Sequence, residues 1–196
     1  ILSKIDNEDL YTEEEGFGCE NEPHISILFG FHDDVDVNKV IDLVNENVKH
    51  PLKVEIKKVS VFESEKYDVL KFDVESPDLR ALNKLMTENF EYTSNFPEFF
   101  PHMTIAYLRK NCASKYLKEF TPGAVILDSE KFVYSNPDGT KILWSPEDKE
   151  IKKEIEFEAD NGINKITIVK TDIDPERLFY IQDFTEFVCN NIHMEN

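Results

Sequence analysis

The chain has 196 residues, 40% hydrophobic and 12% aromatic, enough apolar side chain to bury a core as one large or two small domains. Its 40 Asp and Glu against 22 Lys and Arg give a net charge of −18, which argues against sequence-independent binding to duplex nucleic acid but leaves room for a small or single-stranded phosphate ligand in a locally neutralised cleft. Cys19, Cys112 and Cys189 are odd in number, widely spaced and without a Cys-x-x-Cys, so neither a disulfide framework nor a zinc site is indicated, and no apolar run approaches the ~18 residues of a membrane span.

In chain order, residues 1–21 read as an acidic arm that packs on the domain through Tyr11 and Phe17. No basic-then-apolar signal opens it, a reducing cytoplasm fits the cysteines, and the start at Ile1 without an initiator Met suggests a fragment or processed form. "HISILFG" reads as a strand, followed by a helix in "DDVDVNKVIDLVNENV" with Val37, Val40, Ile41, Val44 and Val48 at helical spacing. "LKVEIKKVSVFE" and "YDVLKFDV" alternate as two antiparallel strands. "SPDLRALNKLMTENF" opens a helix with Ser76 as N-cap and Pro77 at the first helical position. A second, similar series follows: strand "HMTIAYL", a short helical piece "ASKYLKEF", strand "AVILDSEKFVYS", the turn "NPDG" and strand "KILW". Beyond Pro146 the pattern changes. "KEIEFEAD-NG-INKITIVK" predicts an Asn-Gly hairpin, and "DPERLFYIQDFTEFVCNNI" a helix opened by Asp174 and Pro175. The chain thus divides into a domain over 1–146, with its N-terminal arm, and an appended hairpin-helix module over 147–196.

Two stretches stand out, "PHISIL" at Pro23–Leu28 and "PHMTIA" at Pro101–Ala106. Each writes Pro-His-apolar-hydroxyl-apolar, and strand alternation puts His24 with Ser26, and His102 with Thr104, on one face. One such copy is commonly a strand-end histidine satisfied by backbone. Two matched copies, each opening half of the domain, suit acid-base chemistry at phosphorus. One imidazole takes the proton of the attacking oxygen while the other protonates the leaving oxygen, and the two hydroxyls hold the non-bridging oxygens. No metal or other cofactor is called for, and His32, His50 and His193 read as surface residues.

These residues resemble the paired His-x-Ser/Thr signatures of the two-histidine phosphoesterase superfamily, over about residues 9–146. "EDLY" ahead of "EPH" and the late "VYSNPDGTKI" look like its bacteriophage branch. The resemblance implies an α+β, bilobal fold, two pseudo-symmetric lobes of antiparallel sheet with helices outside and a central groove, to which the predicted C-terminal β-hairpin and helix are added. It implies His24 and His102 as the catalytic pair and Ser26 and Thr104 as phosphate-holding hydroxyls. It has no counterpart for residues 147–196.

Around that groove, Tyr107 is a candidate lining residue with core packing as the alternative, and Tyr11 a candidate cover whose alternative is an arm anchor. Phe96, Phe99 and Phe100 precede His102, and Phe100 in particular is a candidate base-stacking ring, with core packing as the alternative for all three. Lys66, Arg109 and Lys141 are candidate phosphate-neutralising cations, with ordinary exposed surface charges as the default reading. The expected function is a metal-independent phosphoesterase cleaving a small nucleotide phosphodiester (a 2',3'-cyclic phosphate, a 2',5'-linked or a cyclic oligonucleotide, or a single-stranded RNA end). Phage counter-defence in the host cytoplasm is an analogy from the resemblance. The competing reading is a non-catalytic nucleotide-binding or virion-associated module. The apolar face of the last helix, Leu178, Ile181, Phe184 and Val188, is expected to dock on its own chain, with a homo-oligomer as the second choice.

Overall fold

The computed structural model describes residues 4–13, 16–49, 51–96, 98–118, 125–129, 131–146, 152–156 and 164–169. In chain order they form β1 (Ile25–Phe31), α1 (Val37–Asn47), β2 (Leu52–Glu63), β3 (Tyr67–Glu75), α2 (Pro77–Asn89), β4 (His102–Arg109), β5 (Val125–Ser129), β6 (Lys131–Ser135), β7 (Thr140–Trp144), β8 (Lys152–Glu156) and β9 (Asn164–Val169). The described residues form an α+β fold, with antiparallel sheets and two α-helices among them.

Local chemistry sets the helices as their sequence predicts. The Asp36 carboxylate accepts the Asn38 amide at the start of α1, whose Val40, Ile41 and Val44 are buried. The Ser76 hydroxyl accepts the Leu79 amide at 3.2 Å, Pro77 fills the position that needs no N–H, and α2 buries Leu79, Leu82 and Met86. Both helices add to one continuous core with Ile27, Leu28, Ile56, Leu70, Phe72, Ile105, Leu108, Phe132 and Tyr134.

β4-β3-β2-β5 form one sheet and β1-β9-β6-β7-β8 the other. The sheets do not follow the two halves of the sequence. β2 and β3 pair with β4 and β5 from the later half, while β1 joins the strands from β6 onwards. Each histidine motif therefore opens a strand at an edge of its own sheet, β4 in one and β1 in the other, and the two strands contact each other. The arm covers the outer edge of β4. Tyr11 donates its amide to the Tyr107 carbonyl, Gly18 accepts the Tyr107 amide, and Glu20 donates to Ile105, so an edge that would invite intermolecular pairing is occupied. Residues 91–93 lie along the far end of β1. Thr93 donates to the Gly30 carbonyl at 2.8 Å, and a Cβ on Gly30, which has φ +84°, would stand 2.0 Å from the Thr93 carbonyl oxygen. Glycine is required there by both φ and space.

Two expectations are corrected. "AVILDSEKFVYS" is not one strand but two, β5 beside β2 in the four-stranded sheet and β6 beside β9 and β7 in the other. Continuous alternation does not reveal where a strand changes partner. The short helical piece expected in "ASKYLKEF" is present as a 3-10 helix, Ala113–Tyr116, with residues 119 and 120 outside the described residues. The two strands expected of the C-terminal hairpin are present as β8 and β9 but do not pair with each other. β8 adds to β7, and β9 runs between β1 and β6. The helix expected from Asp174 lies outside the described residues, and no described helix is long and apolar enough to cross a membrane.

Candidate active site

The two motif strands share an irregularity that simple alternation misses. Ser26 faces Thr167 and Leu28 faces Ile166, so Ile27 is an extra residue, while Lys71 faces Thr104 and Leu70 faces Ala106, so Ile105 is another. In each strand the bulge directly follows the hydroxyl residue. It buries two consecutive apolar residues, Ile27 with Leu28 and Ile105 with Ala106, and turns the next side chain back to the hydroxyl's face. Phe29 thereby joins Ser26, and Tyr107 joins Thr104. The bulge carbonyls are both satisfied. Asn83 of α2 donates its amide to Ile27 at 2.7 Å, and Glu20 of the arm donates to Ile105 at 2.9 Å.

Both histidines, half-buried, are oriented by the same device. His24 Nδ1 lies 2.7 Å from the Glu22 carbonyl oxygen and His102 Nδ1 lies 2.8 Å from that of Phe100, in each case two residues back. A carbonyl can only accept, so Nδ1 carries the hydrogen and Nε2 of the neutral ring holds the lone pair. The rings are near enough that charge on His24 acts on His102. Burial pushes the His102 pKa below its ordinary value. Positive charge on Lys71 and His24 pushes the same way, against the Phe100 carbonyl and the Asp73 carboxylate.

The four-stranded sheet surrounds His102 with groups the sequence reading passed over. Asp73 is opposite His102, and Lys71 opposite Thr104. Lys71 is buried on that face, and its Nζ donates to Ser60 Oγ at 2.7 Å and Asp73 Oδ1 at 2.5 Å. Burial alone would raise the Asp73 carboxyl, but hydrogen bonds from Lys71 and Ser60 outweigh it and hold it below the usual range. Lys71 Nζ also sits 3.9 Å from the centroid of Phe62, whose ring meets His102 edge-on at 5.0 Å.

The remaining candidates divide. Ser26 and Thr104 lie half-buried on the motif strands. Phe100 and Phe96 are 58% and 71% exposed on the segment entering β4, whereas Phe99 packs against the core. Tyr107 is half-buried, its ring 4.7 Å from Phe17 and 5.7 Å from Tyr67. Tyr11 is buried in that same cluster, 5.4 Å from Phe17 and 5.1 Å from Tyr67, as an arm anchor would be. Lys141 bonds Glu22 Oε2 at 2.6 Å, tying it to the segment that orients His24. Arg109 is exposed and reaches the Leu10 carbonyl, and Lys66 is exposed. His32 is exposed and bonds Thr93, while His50 and His193 lie outside the described residues. Among the described residues no three His, Cys, Asp or Glu side chains are grouped to hold a metal ion.

Antiparallel sheets that each carry an edge strand opened by a histidine, with a hydroxyl residue two places on, define a two-histidine protein of α+β class. The family model described as the 2'-5' RNA ligase superfamily matches residues 19–128, a stretch that holds both motifs and more than half the chain. The chain belongs to that family, the two-histidine phosphoesterase superfamily, and membership points to phosphoesterase or ligase-like chemistry. The curated proteins and the solved structures compared with the chain give no match.

Proposed function

We propose that the protein is a metal-independent phosphoesterase acting on a small nucleotide phosphodiester, with His24 and His102 as general acid and base. The observation that carries this reading is the matched orientation of the two rings, each pinned through Nδ1 to a carbonyl two residues back so that Nε2 is the nitrogen poised for proton transfer. In the step, a new bond forms between the attacking oxygen and phosphorus as the bond to the leaving oxygen breaks. The attacking oxygen's proton passes to one imidazole, and the other imidazole's proton passes to the leaving oxygen. Ser26 and Thr104 hold the non-bridging oxygens, and the two sheets are the two lobes flanking the groove. Phe100, exposed next to the motif, offers a ring on which a base can stack, worth ~1–3 kcal/mol. The charge of −18 favours a small substrate or single-stranded RNA end over a duplex.

A panel of 2',3'-cyclic nucleotides, 2',5'-linked oligonucleotides and cyclic dinucleotides, assayed in excess chelator, is expected to give turnover of at least one class. Binding without turnover would favour the nucleotide-binding module instead, and activity lost to chelator and restored by a divalent ion would overturn metal independence. Ser26→Ala and Thr104→Ala are each expected to lower kcat by less than the ~10²–10³-fold typical of removing a dedicated oxyanion donor, because water can enter in place of a hydroxyl at a half-buried site.

A further inference from the structure

We infer that Lys71 is a positioning residue that divides the labour between the two histidines, keeping His102 uncharged to serve as the base and leaving His24 to serve as the acid. The assignment rests on the phosphoesterase reading above. It starts from where the hydrogens of Lys71 go. Two are taken by Ser60 Oγ and Asp73 Oδ1, the third side is closed by the Phe62 ring, and Ser60 itself donates to Asp73 at 2.5 Å. With only 6% of its side chain exposed, the ammonium is not available to grip a phosphate. Its influence is exerted through the field it places under the active face.

That field is positive. The charged groups facing His102 are Lys71 and Asp73 on β3, Lys58 on β2 acting through Asp73 at 3.6 Å, and His24 at the head of β1. Two ammonium groups share one carboxylate, and the buried one is poorly screened. An imidazolium at position 102 would add a further cation to this group, beside the Phe62 ring, which stands perpendicular to the His102 ring at 5.0 Å. His24 has a different setting, since the backbone carbonyl that orients it belongs to Glu22, whose carboxylate is paired with Lys141. The two rings are therefore alike in tautomer and unlike in charge environment. The base must start neutral, and at His102 burial first and the Lys71 charge with it favour the neutral ring.

The test reads His102 directly. Ring-proton or 15N NMR titration of the wild-type protein is expected to place the His102 midpoint below the ordinary value of about 6.5. In Lys71→Met the midpoint should move to higher pH, and in Lys71→Met/Asp73→Asn it should come part of the way back, since the opposing carboxylate is also gone. The acid limb of kcat/KM, which reports the base of the free enzyme, should follow the same order, with the Lys71→Met rate recovering toward alkaline pH. A loss that is uniform across pH would assign Lys71 a packing role only. An unmoved His102 midpoint in an active Lys71→Met enzyme overturns the inference, as does an acid limb that tracks His24. A wild-type midpoint at or above the ordinary value overturns it even if the variant fails to fold. A shifted midpoint in a protein that turns over no substrate would sink the phosphoesterase reading and the base assignment together, leaving the coupling of Lys71 to His102 standing.

Discussion

Replacing either His24 or His102 with alanine is expected to reduce turnover of the best substrate by about 10²–10⁴-fold while the protein stays folded, since each substitution removes one proton-transfer group. Folding should survive because both rings are half-buried and their Nδ1 bonds go to carbonyls at strand entrances, where water can replace them. The neighbouring core positions, Ile25 and Met103, are untouched. Kinetics on folded protein, with thermal unfolding run in parallel, separates lost chemistry from lost structure. If either variant retained near wild-type rate, the two-histidine mechanism would be wrong. The double variant should lose little beyond the worse single one, because two groups serving one step are not additive.

The second large effect concerns β9. Truncation after Pro146 removes the strand that lies between β1 and β6, leaving both with an open edge. β1 contributes Ile25, Ile27, Leu28 and Phe31 to the core, and among the described residues its backbone would keep the Asn83 bond to the Ile27 carbonyl and the contact with residues 91–93 at its far end. The truncated chain is expected to lose turnover through displacement of His24. Its melting temperature should fall by well over the ~2–4 °C that 1 kcal/mol represents in a chain of this size. Activity, calorimetry and binding of a hydrophobic dye check this. A truncated protein with full activity and an unchanged melting profile would show that residues 1–146 form a self-sufficient unit, as the sequence division at Pro146 implies.

How far the sequence reaches differs between parts of the molecule. α1, α2, β2, β3 and both histidine strands are legible because their signals are local: a cap, a Pro at the first helical position, strict alternation. Strand partners are not local. The alternation of residues 164–169 is the same whether they fold onto 152–156 as a hairpin or insert beside β1, and only the sheet decides. The same limit governed the site. His24, Ser26, His102 and Thr104 announce themselves by repetition, but Lys71, Asp73, Ser60 and Phe62 sit on faces whose polar residues read as solvated, and only the pairing of β2, β3 and β4 brings them beside His102. Tyr107 shares the Thr104 face for a reason the sequence does not state, since the bulge at Ile105 undoes the alternation that would point it into the core.

The pairing of Ile25 with Ile168 also sets a schedule for the chain's own assembly. During synthesis β1 is among the first strands to emerge, yet the strand it must pair with comes after every other described element. β2, β3 and β4, close in sequence, can join while the rest is still being made, so the His102 side of the site has a scaffold early. β1 must wait, held by its contacts with α2 and by backbone hydrogen bonds to the stretch around Thr93, until the last described strand arrives to close the longest loop among the described strand pairs. Contacts of such sequence separation slow folding. The rate at which activity returns on refolding should therefore follow the docking of β9 onto β1, later than the secondary-structure signal of the four-stranded sheet.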